Sequence, residues 1–189
     1  MLERTPIKQK NILEFGDLTG TIEKTIATRE WEELQDLFNK SKTIILVGHG
    51  GNLAIADHIA VDITRLTNFE KSTICPGSAI VATSHINDTN FDEWMVRWFK
   101  SLIKSISREE TLLIGISSSG GSNDISKLFD EAYLQNIKTA LITAKSSTKI
   151  KSNIQVITNA ETYHSSEIIA LALGYQLVDG YGYNCPKFD

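Results

Sequence analysis

A chain of 189 residues, 41% of them hydrophobic, is long enough to bury one full core and needs no second one. Its net charge of −4 and pI near 5.6 leave no basic stripe for a nucleic-acid backbone, and no run reaches the ~18 apolar residues of a membrane helix. No secretory apolar region follows Glu3, Arg4, Lys8 and Lys10, and Cys75 and Cys185 lack Cys-x-x-Cys or Cys/His spacing, so a cytoplasmic protein with reduced thiols and no structural metal is expected.

The first forty residues carry apolar side chains at three- and four-residue spacing: Ile12, Leu13 and Phe15, then Ile22, Ile26, Trp31, Leu34, Leu37 and Phe38. The pattern predicts two helices parted near Gly16 and Gly20, forming an oligomerisation arm over 1–40 ahead of an α/β domain over 41–189. From residue 43 short apolar runs alternate with helical patterns. Strands are predicted at 43–48, 79–82, 111–116, 139–143 and 154–157, and helices at 53–66, 91–106, 122–135 and 165–178. Such alternation implies crossover connections and a doubly wound, five-stranded parallel sheet in three layers, with ligands at the carboxyl ends of the strands. No internal repeat or low-complexity linker interrupts it.

At that edge the sequence Ile114-Gly115-Ile116-Ser117-Ser118-Ser119-Gly120-Gly121-Ser122 joins a strand to a helix through four Ser and two Gly. Backbone N–H groups at a helix N-terminus favour an anion, hydroxyls add donors, and glycines let the main chain approach. Without Lys or Arg in the loop there is no Walker pattern, so a monophosphate on a small molecule fits better than a nucleoside triphosphate. A plain N-capping Ser after a turn is the competing reading.

A second glycine turn, Gly48-His49-Gly50-Gly51-Asn52, opens a helix on which His58 and Asp62 share a face at i, i+4 spacing. Such a pair can ligate a metal or pass protons, and is equally an ordinary hydrogen-bonded couple. Trp94, Trp98 and Phe99 read as core or interface and receive no function. The tail from Gly180 is expected to wrap a neighbouring subunit.

In order and spacing, Gly48-His49-Gly50-Gly51-Asn52, His58-x-x-x-Asp62, Asn87-Asp88-x-x-Phe91 and Gly115-Ile116-Ser117-Ser118-Ser119-Gly120-x-Ser122 resemble the sugar isomerase (SIS) domain family, and within it the bacterial phosphoheptose isomerases. The resemblance implies a flavodoxin-like fold, a homotetramer, a phosphosugar ligand, and conversion of sedoheptulose 7-phosphate to a heptose 7-phosphate. It implies that Ser117, Ser119 and Ser122 hold the phosphate with help from Ser118, Gly51 and Asn52, the last standing where the family has a Ser. Asp88 matches a residue on the sugar hydroxyls, against a competing role as a helix cap ahead of Phe91. His58 matches a zinc ligand, making zinc the one cofactor implied, and Asp62 stands where a Glu serves as ligand and acid–base group.

The chain departs from the family at its C-terminal helix, where Ser166 and Gly174 occupy the positions of a Gln and a His that complete the metal and proton-transfer set. Neither replacement binds zinc well or moves a proton at neutral pH. His164 and Glu167 are the candidate substitutes, His164 foremost; His85 is weaker, and His49, where the family has Asn, either touches ligand or packs on the strand end. A phosphosugar-binding or adaptor protein that has lost catalysis is the alternative to an isomerase.

Overall fold

The computed structural model describes residues 15–187. Twelve elements follow in chain order: α1 (Leu18–Ile26), α2 (Arg29–Lys40), β1 (Thr43–Val47), α3 (Gly51–Leu66), β2 (Ser72–Ile74), α4 (Ala79–Asp88), α5 (Trp94–Leu102), β3 (Thr111–Ile116), α6 (Asn123–Leu134), β4 (Lys138–Thr143), β5 (Ile154–Ile157) and α7 (Tyr163–Gly180). The five strands form one parallel sheet in the order β2-β1-β3-β4-β5, so the chain reverses its direction of winding between β1 and β3. That is the expected doubly wound α/β architecture.

Period-two alternation divides the strands between two cores. Ile44, Leu46, Leu112, Ile114, Ala140 and Ile142 face α2, α3 and α7, where Phe38, Ile59, Ile63 and Leu173 are buried. Ile45, Val47, Leu113 and Leu141 face the other way, against α5 and α6 with Trp94, Phe99, Leu128 and Phe129. Because both faces are covered, the strands are continuous apolar runs, as they are in sequence.

Several boundaries differ from those expected. Residues 79–82 are helical, since the Ser78 hydroxyl accepts from the Ile80 N–H and starts α4 there. The edge position in the sheet belongs instead to Ser72–Ile74, too short and too polar to show a period. The helix predicted at 91–106 contracts to Trp94–Leu102. Gly20 lies inside α1, whose first turn is capped by the Asp17 carboxylate; the break between the first two helices falls at Ala27 and Thr28, where the Thr28 hydroxyl caps α2.

Trp31, Leu34 and Phe38, assigned from sequence to a partner-facing arm, are buried in this chain's own core. Ile12 and Leu13 lie outside the described residues. A buried ammonium fastens this corner: Lys71, 1% exposed, donates to the carbonyls of Phe38 and Ser41 at 2.7 Å each, satisfying the C-terminal end of α2. The ammonium also lies over the Tyr181 ring, and the Tyr181 and Tyr183 hydroxyls donate to Glu70. As far as Tyr183, therefore, the tail packs on its own chain.

Candidate functional site

The carboxyl ends of β1 and β3 bring both glycine turns together. Ser117 and Ser118 are buried at the end of β3, Ser119 is exposed, and Ser122 is the N-cap of α6 without a side-chain cap bond. The helix end is thus free to receive an external acceptor. Across the turn, the Asn52 amide donates to the Ser118 hydroxyl at 3.2 Å, while Asn52 Oδ1, also buried, makes no hydrogen bond among the described residues. A cavity of about 220 Å³ opens beside the loop, lined by Ser118, Ser119, Lys145, Glu161, Thr162 and Tyr163. Lys145 brings from the end of β4 the cation that the Ser loop itself lacks, and the sequence reading missed it because it belongs to another strand. Thr162 caps α7 through a reciprocal bond with Ser165, which fixes how the wall of the cavity enters that helix.

Gly51 and Glu167 also meet at this edge. A Cβ at Gly51 would collide with the Glu167 carboxylate, so α7 lays that carboxylate on the N-terminal turn of α3. His164, whose side chain is 74% exposed, stands 3.9 Å from Glu167 and does not line the cavity.

His58 and Asp62 lie further along α3, at its seam with α7. His58 Nε2 is 3.3 Å from Asp62 Oδ2, but that oxygen also accepts the Tyr175 hydroxyl at 2.8 Å, and Oδ1 accepts Arg65 at 2.9 Å. Burial alone would raise the Asp62 pKa; the hydrogen bonds from Tyr175 and Arg65 and the charges of His58 and Arg65 outweigh it and hold the carboxyl below its usual range. Tyr175 responds in the opposite sense, its phenol pushed up to about 12 by burial and by Asp62. A carboxylate so stabilised is a weak base near neutral pH.

The zinc implied by resemblance does not fit this donor set. His58 and Asp62 supply two ligands where a catalytic zinc takes three from protein, and Asp62 is already engaged by Tyr175 and Arg65. No group of three His, Cys, Asp or Glu side chains able to hold a metal occurs among the described residues. A side chain at Gly174 would run into Ile59, which fills the α3–α7 seam there.

Asp88 is not brought to the loop. It ends α4 rather than capping the helix that follows, and it pairs with Arg97 at 3.1 Å. His49, by contrast, is tied into the site. Its Nε2 lies 2.8 Å from Asp124 Oδ1 and 2.7 Å from Oδ2, and its ring stacks on Phe91 at 5.4 Å. Asp124, in the first turn of α6, further accepts the Trp94 indole N–H at 3.0 Å and the Ile125 N–H at 2.9 Å.

No family model matches the chain. In sequence it is similar to the phosphoheptose isomerase of Fusobacterium nucleatum, 28% identical over 142 residues that make up 73% of either chain. It is also similar to that of Serratia proteamaculans, 29% identical over 123 residues, 65% of this chain and 63% of the relative. In fold it matches a phosphoheptose isomerase from Francisella tularensis with a TM-score of 0.72 at 16% identity, over 86% of this chain and 91% of that one. The parallel sheet and its strand order define a doubly wound α/β protein whose fold is shared with that phosphoheptose isomerase. Its sequence likeness is to phosphoheptose isomerases.

Replacing Tyr175 by Phe removes one donor to the Asp62 carboxylate and is expected to lower stability by about 1–2 kcal/mol at neutral pH, read by urea unfolding. With the folded-state pKa of Asp62 below its ordinary 3.8, the charged form stabilises the fold above that pH and loses its contribution as pH falls through the lowered value. The gap between wild type and Tyr175→Phe should therefore persist at pH 3.8 and close only as pH falls through the lowered folded-state value; a gap that does not narrow in acid contradicts the assignment.

Proposed function

We propose that this protein binds a phosphorylated sugar at residues 117–122 and interconverts its ketose and aldose forms, sedoheptulose 7-phosphate being the substrate its sequence relatives suggest. One observation carries the binding half: four serines lead into α6, whose N-cap Ser122 makes no side-chain cap bond, and a cavity of about 220 Å³ opens beside Ser118 and Ser119, lined also by Lys145 and Glu161. Backbone donors, hydroxyls and one ammonium match a phosphate dianion. Ser117, Ser119 and Ser122 are assigned to the phosphate, with Ser118, Asn52 and Gly51 shaping the turn opposite.

For catalysis the resemblance points to Asp62, and the sequence offers His164 and Glu167 as substitutes for the missing Gln and His. Only Glu167 of these lies against the glycine turn, and Asp62, its carboxylate engaged by Tyr175 and Arg65, with Ser166 and Gly174 beyond it, favours a second reading: a phosphosugar-binding protein without turnover. We assign no step to a metal.

Assembly as a homotetramer belongs to the same proposal. Helix α4 buries none of its residues in this chain, Ile80 being 79% exposed, and Phe91 and Tyr163 beside the site are also exposed. Light scattering should give four times the 21.0 kDa chain mass; a monomer would contradict it. The free thiols Cys75 and Cys185 agree with a reducing cytoplasm.

Calorimetric titration with sedoheptulose 7-phosphate, with aldose formation followed by NMR, tests the proposal. Ser119→Ala, Ser122→Ala and Lys145→Met should each weaken binding about 10–100-fold, the loss of one charge-assisted hydrogen bond. Unchanged affinity in all three would overturn the phosphate assignment, and tight binding without aldose would select the second reading.

A further inference from the structure

We infer that His49, held by Asp124, is the acid–base group of this site, moving the proton between C1 and C2 of the bound sugar. The inference rests on the isomerase reading above and names a catalytic pair that the family resemblance does not supply.

The pair has the chemistry of a poised base. The ionised Asp124 carboxylate only accepts, so His49 must present Nε2–H to it, which leaves the lone pair on Nδ1. No hydrogen bond engages Nδ1 among the described residues, and the His49 side chain is 30% exposed. A lone pair is of no use to a phosphate dianion, itself an acceptor, but it is what proton abstraction from carbon requires. Asp124 is 1% exposed and fixed by two further donors, Trp94 Nε1–H and the Ile125 N–H. Its charge stabilises the imidazolium once Nδ1 takes a proton, and the stack on Phe91 limits ring rotation.

Position supports the role. His49 lies in the turn two residues past the end of β1, at the carboxyl edge of the sheet, and its carbonyl accepts from the Asn52 N–H at 3.0 Å, the same Asn52 whose amide reaches Ser118. Asp124 lies two residues beyond Ser122. The pair thus links the glycine turn to the first turn of α6, outside the cavity that Ser118, Ser119 and Lys145 line. The other candidates are less suited: Asp62 is saturated with donors at the α3–α7 seam, and His164 stands in solvent.

In the proposed step, Nδ1 removes a proton from C1 of the open-chain ketose. The C1–H electron pair becomes the C1=C2 double bond of an enediol, while O2 takes a proton from water as the C2=O bond becomes single. The imidazolium then returns its proton to C2, and O1 releases its proton to water as the aldehyde forms. No oxidant or reductant is consumed. Glu167, at the α3 N-terminus, takes no part in the carbon proton transfer.

His49→Asn and His49→Gln, with Asp124→Asn, test the pair through three readouts: phosphosugar affinity by calorimetry, kcat and KM on sedoheptulose 7-phosphate, and exchange of the C1 proton with D₂O by NMR. Removing the base should cut kcat and proton exchange by about 10²–10⁴-fold while Kd stays within about threefold of wild type. Asp124→Asn, which acts through His49, should lower kcat with KM little changed. Turnover retained in both His49 variants, or binding lost in parallel with turnover, would overturn the pair. A wild-type protein that binds the sugar without turnover or exchange would overturn it and leave phosphosugar binding standing. A wild-type protein that binds no phosphosugar would overturn the functional reading itself.

Discussion

Five parallel strands must all end at one edge, and every chemical feature of this protein depends on that constraint. Parallel pairing forces each strand to be followed by a crossover, and the reversal between β1 and β3 opens a crevice between their loops. The glycine turn after β1 and the serine loop after β3 face each other across it, joined by Asn52 and Ser118 and by His49 and Asp124. β4 adds Lys145 and α7 adds Thr162 and Tyr163 from the adjoining side. The two apolar cores bury the central strands β1, β3 and β4 over most of their length, so the polar groups at that edge stand on a packed scaffold.

At the α3–α7 seam packing and hydrogen bonding engage the Asp62 carboxylate. Gly174 lets Ile59 pack against the backbone of α7, and Tyr175 one residue later delivers its hydroxyl to Asp62. With Arg65 on its other oxygen, Asp62 becomes a satisfied structural carboxylate. At the opposite wall the His49–Asp124 pair is buried at one end and open at the other, which is the asymmetry a proton-transfer group needs.

Much of this was legible in the sequence, for identifiable reasons. β1, β3 and β4 are buried on both faces over most of their length and so read as apolar runs, β5 keeps its buried Ile154 and Val156 at period two, and the Ser/Gly loop is contiguous in the chain. β2 was not legible because an edge strand of three residues carries no period, and the apolar run at 79–82 that took its place is an exposed helix started by Ser78. The competing reading of Asp88 as a cap ahead of Phe91 failed because its local context is the end of α4. Contacts between distant residues left no local mark: His49 and Asp124 are 75 residues apart, Asp62 and Tyr175 113 apart, and Lys145 reaches the phosphate loop only through the pairing of β3 with β4.

The most direct test is a crystal structure of the protein with sedoheptulose 7-phosphate bound. The account predicts the phosphate on residues 117–122 with Lys145 beside it, and C1 and C2 within hydrogen-bonding reach of His49 Nδ1. A phosphate seated elsewhere, or a sugar whose C1 and C2 lie against His58 and Asp62 instead, would contradict it.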